Sequence, residues 1–185
     1  MNTDTTKNKI WKVLFIIVTV AFGALLHNSL NAQTGTVNKE KMKPLAVWMG
    51  KWTGEGWSMD ESRQRTTFTV EENIQWKLDG LVMMAEGIGK DKASGKVGFH
   101  SFGVIYFNNE KSTYEMKSFL QDGNTTLAKA SVSGSLKFVW GFDVQGGRIE
   151  YTTTIDGDSW HEKGAFVLPG GQEFPVMEMN LTRSK

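Results

Sequence analysis

From Arg65 to Leu78 apolar and polar residues take turns: Phe68, Val70, Ile74, Trp76 and Leu78 fall on one side, Thr67, Thr69, Glu71, Asn73, Gln75 and Lys77 on the other. A period of two places successive side chains on opposite faces of a strand, so one face is built for burial and the other for water. Similar runs follow, separated by Asp79-Gly80, Asn108-Asn109, Asp122-Gly123, Gly146-Gly147, Asp156-Gly157 and Gly170-Gly171. Gly, Asn and Asp accept the positive φ that tight hairpin turns require. The pattern predicts about ten strands. They lie near 51–58, 66–78, 81–89, 97–107, 112–120, 125–132, 135–143, 148–155, 159–167 and 174–183. Their even length and meander spacing favour an all-β, up-and-down antiparallel barrel over a Greek-key sandwich. Ahead of them Leu45, Trp48 and Met49 fall at helical spacing, so a short helix leads into the first strand. Pro44 marks its first turn or breaks it.

The first residues carry an address rather than a fold. Lys7, Lys9 and Lys12 precede an apolar run from Val13 to Leu26, and Leu30-Asn31-Ala32 puts a small residue before Gln33. This is the layout of a secretory signal peptide cleaved near Ala32, too short for a comfortable membrane span. An uncleaved anchor is the competing reading. The expected organisation is a signal peptide at 1–32, a linker and the start of the short helix at 33–44, and a barrel domain at 45–185. A periplasmic or secreted protein with no membrane span after cleavage follows. The chain has no cysteine, which excludes disulfides, thiolate metal sites, a Cys nucleophile and lipid attachment at a lipobox. Without Lys7, Lys9, Lys12 and Asp4, the balance of 21 basic and 20 acidic residues becomes slightly acidic. A near-neutral domain without a basic cluster argues against nucleic acid or anionic lipid as a partner.

The run Gly50-Lys51-Trp52-Thr53-Gly54-Glu55-Gly56 resembles the opening of nitrobindins and related lipocalin-like (calycin) barrels, and its first half resembles the Gly-x-Trp of lipocalins. The closing run Met177 to Arg183 matches in style. The resemblance implies structural roles for Gly50, Trp52, Gly54, Gly56 and Arg183, with Arg183 stacked on Trp52 to cap the barrel. Gly147 to Tyr151 and Asp158 to Glu162 look like a secreted bacterial branch of the same group. Haem-binding nitrobindins hold iron through a histidine near the C-terminus, and Phe174 to Arg183 contains none. Haem is therefore disfavoured and no cofactor is expected.

A ten-stranded barrel is wider than its own side chains fill, so a ligand cavity is expected. Trp140, Tyr151 and Trp160 would offer stacking surface to a small hydrophobic or aromatic molecule. A filled core is the plainer alternative, since aromatics are ordinary core residues. Glu72 and Glu162 sit in phase with apolar faces, where a carboxylate has a raised pKa unless donors compensate. Either would serve as a general acid or base, or as an anchor for an amine or hydroxyl. For Glu72 a strand bend turning it outward, or a satisfied hydrogen-bond network, is the weightier alternative; for Glu162 the two readings balance. Tyr114, Glu86 and His100 complete the candidate ligand-binding set. Residues 97–107 are apolar on both faces, so periodicity does not orient His100. Asp156-Gly157-Asp158 reads as a turn, and no metal site is expected. Binding is the leading function. A proton-transfer enzyme on the same barrel (isomerase, cyclase or decarboxylase) is one alternative, and a haem protein acting on nitrogen oxides another.

Overall fold

The computed structural model describes residues 35–60, 62–134 and 136–185. The expected signal peptide lies outside the described residues. The strands are β1 (Gly50–Met59), β2 (Arg65–Lys77), β3 (Val82–Asp91), β4 (Val97–Asn108) and β5 (Thr113–Leu120). They continue as β6 (Thr125–Ser133), β7 (Lys137–Val144), β8 (Gly147–Asp156), β9 (Ser159–Val167) and β10 (Glu173–Arg183). Each pairs antiparallel with its chain neighbour, and β1 closes on β10 in a register running from Trp52↔Arg183 to Ser58↔Met177. The result is the expected closed up-and-down antiparallel barrel, with its backbone edges paired off. Among the described residues no helix is long and apolar enough to cross a membrane.

The alternation in β2 holds as far as Lys77. Phe68, Val70 and Ile74 are buried. Leu78 departs from the pattern: it and Asp79 take positive φ in the turn, and Leu78 is 72 % exposed. The tight return to β3 claims its backbone before its side chain can reach the core.

Residues 38–42 are helical and continue as a 3-10 segment, Lys43–Trp48. Pro44 stands in the first turn of that segment. It lacks the N–H that an α-turn would use, and the chain tightens there. Met42, Leu45 and Trp48 point inward and are fully or almost fully buried. The Tyr114 hydroxyl donates to the Lys41 carbonyl, and Trp48 meets Phe138 edge-on at 6.0 Å. The segment thus stoppers the end of the barrel where β1 begins and β10 finishes.

That end is packed solid. Trp52 has no exposed surface, donates from Nε1 to the Trp48 carbonyl at 2.9 Å, and meets Trp160 edge-on at 5.5 Å. The Arg183 guanidinium lies 4.0 Å from the Trp52 ring centre. It donates to the Val47 carbonyl at 2.9 Å, to the Met49 carbonyl, and to Asp158 at 3.0 Å. A planar cation over an indole face with each of its three nitrogens donating is a strong clamp. A Cβ on Gly54 would fall 2.1 Å from the Asn180 carbonyl oxygen, and one on Gly56 would fall 2.4 Å from that of Glu178. Only glycine lets β1 and β10 come this close.

Candidate functional site

The space beyond the packed end follows from residue size. On β3 the inward positions are Met83, Ala85, Gly87 and Gly89, and on β4 they are Phe99, Ser101, Gly103 and Ile105. Small side chains facing inward leave room, and a cavity of about 370 Å³ fills it. Trp48, Ile74 and Phe138 form its floor, and Met59, Leu120 and Met177 reach its opposite end. Its volume is at the lower end of the range typical of small-molecule sites.

One wall is aromatic. Trp140 and Tyr151 are cross-strand partners whose rings stack at 4.1 Å and 16°. Gly164, the partner of Tyr151 on β9, accommodates that ring: a Cβ there would lie 2.7 Å from it. Phe99 likewise lies across Gly89, where a Cβ would fall 2.0 Å from the ring.

Two carboxyl groups face the cavity, and they are held differently. Glu162 is 6 % exposed, and its Oε2 accepts from the Thr153 hydroxyl at 2.7 Å and from Trp160 Nε1 at 3.3 Å. Burial raises its pKa, and those two donors offset part of the rise. Glu72 has no hydrogen-bond or ion-pair partner among the described residues. The register of β2 with β1 and β3 runs unbroken through it, so it points inward, and neither the outward bend nor a satisfying network is found. Its partner on β3 is Gly87, where a Cβ would fall 2.3 Å from Glu72 Oε1. Glu72 keeps some accessible surface on the cavity, yet surrounding protein strips most water from it. Burial, aided by repulsion from Glu162, pushes its pKa up to about 8. Tyr151 is pushed up to about 12 by burial and by Glu162.

The sequence-predicted residues therefore divide. Glu72, Trp140, Tyr151, Trp160 and Glu162 line one cavity. Tyr114 points inward but is spent on the Lys41 carbonyl beneath the helical stopper and lies off the cavity lining. Glu86 and His100 sit on the outer face, joined to each other at 2.9 Å and each well exposed. His161 is also outside, 2.9 Å from Glu178. Among the described residues the cavity lining includes no imidazole. Sequence reasoning missed Gly87, Gly89 and Gly103, which create the space. The signal was present as a period-two run of small residues, Ala85, Gly87 and Gly89, within a strand.

The sequence matches no protein-family profile and no curated protein. Solved structures do resemble it. Rv2717c from M. tuberculosis superposes with a TM-score of 0.61 at 13 % identity, over 78 % of this chain and 97 % of that one. The S-type phycobiliprotein lyase CpeS from Guillardia theta superposes with a TM-score of 0.53 at 10 % identity, over 75 % of this chain and 89 % of that one. At such identities the likeness is one of fold alone.

Proposed function

We propose that this is an exported binding protein that takes a small, largely apolar or aromatic molecule into the barrel. The carrying observation is the cavity of about 370 Å³, walled by the Trp140–Tyr151 stack and opening away from the helical stopper. Apolar burial supplies the bulk of the affinity, at about 25 cal/mol per Å² before association costs are subtracted. Export rests on the basic residues, apolar run and small-residue site at 1–32. The resemblance to a phycobiliprotein lyase is compatible with an interior ligand and does not name it. Tryptophan fluorescence tests the reading, because Trp140 and Trp160 both line the cavity. Saturable quenching or a spectral shift with lipophilic aromatic compounds is expected. A folded barrel whose emission ignores the whole panel overturns it.

A second reading, proton-transfer catalysis, is favoured by one observation: Glu72 is unpaired and poised at about 8. Such a group takes up and returns a proton near neutral pH. Carbon-detected NMR of labelled glutamate separates the readings. A Glu72 midpoint near that value keeps catalysis in play, and an ordinary carboxylate midpoint removes it.

A further inference from the structure

We infer that the ligand of this cavity carries a protonated amine, with its ammonium group seated on Glu72 and its apolar body against the Trp140–Tyr151 wall. This rests on the binding reading above and names the chemical class of the molecule bound. Three independent observations support it.

The first is the sign of the lining. Among the described residues its titratable groups are Glu72, Tyr151 and Glu162, all acids, with no lysine, arginine or histidine. The second is the contrast with carboxylates elsewhere. Glu115 receives Tyr106, Asn108 and Lys111, Glu178 pairs with His161, Glu86 with His100, and Asp158 with Arg183. Glu72 alone of these faces the cavity without a partner. An enclosed carboxylate lacking a cation or donors is costly, and a ligand that supplies both removes the cost. The third is space. Gly87 leaves the gap in which the Glu72 carboxyl lies, so the group is accommodated rather than squeezed out.

The groups around Glu72 fix the proton count. β1 offers Trp52 and β3 offers Gly87 as its cross-strand partners, neither of which titrates. Across the cavity stand Glu162 and Tyr151. Arg183, on the far side of β1, is engaged by Trp52, Asp158 and two backbone carbonyls. In the empty cavity at neutral pH Glu72 is therefore mostly protonated. When an ammonium arrives, Glu72 ionises against it and its proton leaves to solvent. One charge enters, one proton departs, and the site stays neutral. The aromatic wall favours a cation as well, through the negative faces of its rings. A neutral alcohol gains the apolar burial without the ion pair, and a carboxylate of the same skeleton adds a third carboxyl group to the two of Glu72 and Glu162.

The test is calorimetric titration of the mature protein with phenylbutylamine, phenylbutanol and phenylbutanoate, three probes of one skeleton and different charge. Each is run in two buffers of different ionisation enthalpy, so that protons released are counted directly. The amine is expected to bind about tenfold or more tighter than the alcohol and to release close to one proton near neutral pH. Glu72→Gln brings the amine-to-alcohol ratio to about one and abolishes the release. Equal binding of amine and alcohol with no proton released overturns the inference while leaving the cavity reading intact. Should Glu72→Gln fail to fold, the proton count on the unmodified protein decides alone. If none of the three probes binds to folded protein, the interior-ligand reading falls together with this one.

Discussion

Where β1 begins, the inward positions hold Trp52, Trp160 and Ile155, and the helical segment adds Trp48. Toward the other end, the inward positions of β3 and β4 hold Gly87, Gly89, Ser101 and Gly103. Both regions obey the same period-two alternation, so the same sheet is folded by the same rule. They differ in the volume of what points inward. Bulky rings meeting edge-on leave no void at the first end, whereas small residues facing one another leave a cavity at the second. Hydrophobic patterning decides that a barrel forms; the size of the inward residues decides where it is hollow. The glycines make the same point. At Gly54 an added methyl group would strike β10 backbone, which cannot yield, and at Gly87 it would strike the end of a flexible carboxylate, which can.

The largest expected effect tests the solid end. Trp52→Ala removes a fully buried ring together with its hydrogen bond to Trp48 and its cover by Arg183. A loss of about 3–5 kcal/mol in denaturant unfolding is expected, as for other large aromatic truncations. A loss under about 1 kcal/mol would mean that this end is not the structural clamp described here.

The hollow end should reveal itself through pH. The Glu72 pKa rises from 4.5 to about 8 on folding, so between those values the folded state holds a proton that the unfolded chain has released. Its favourable contribution is complete below about pH 4.5 and is lost as pH rises through 8. Stability should therefore fall across this window. Glu72→Gln should flatten the slope and raise stability at the alkaline side, by on the order of 2 kcal/mol once water in the cavity is allowed for. Outer carboxylates run the other way. The Glu115 pKa is lowered to about 2 by hydrogen bonds from Lys111, Asn108 and Tyr106, and its contribution fades only as pH falls from 4.5 toward that value. A slope unchanged by the Glu72 substitution would show that the interior acids do not govern this range.

The smallest change in stability goes with a sharp change in the cavity. Gly87→Ala should shift unfolding by less than about 1 kcal/mol, because only the carboxylate of Glu72 must move. The same substitution displaces the group proposed to anchor the ligand, so probe affinity should fall by about tenfold while the fold persists. Circular dichroism and calorimetry on one sample would separate the two effects. Unchanged affinity would detach Glu72 from ligand binding.

Much of this is legible in the sequence alone. The alternation at 65–77 and the Gly- or Asn-bearing turns located the strands because both signals are local. Glu162 was readable because its in-phase neighbours Trp160 and Gly164 flank it closely on the strand. Three things were hidden. His100 lies in a run apolar on both faces, where periodicity has no phase to offer, and its outward direction is set by the register with β3, where Ile88 is its partner. The inward direction of Glu72 depended on the absence of a bulge, which is a property of two neighbouring strands rather than one. The use of Tyr114 was unreadable because its partner, the Lys41 carbonyl, belongs to a distant helical segment.

The pairing of β1 with β10 also governs when the barrel can exist during its own assembly. The Arg183 contact with Met49 spans a sequence separation of 134 residues, so the last strand must meet the first before the clamp on Trp52 can form. Each doubling of such a loop adds only about 0.6 kcal/mol of entropic cost, but contacts this remote come late and slow the search. Until β10 arrives, β1 and β9 present two raw edges to any neighbouring chain. Without β10 the sheet is unfinished, and the interval before β10 docks is when this protein is most exposed to pairing with the wrong partner.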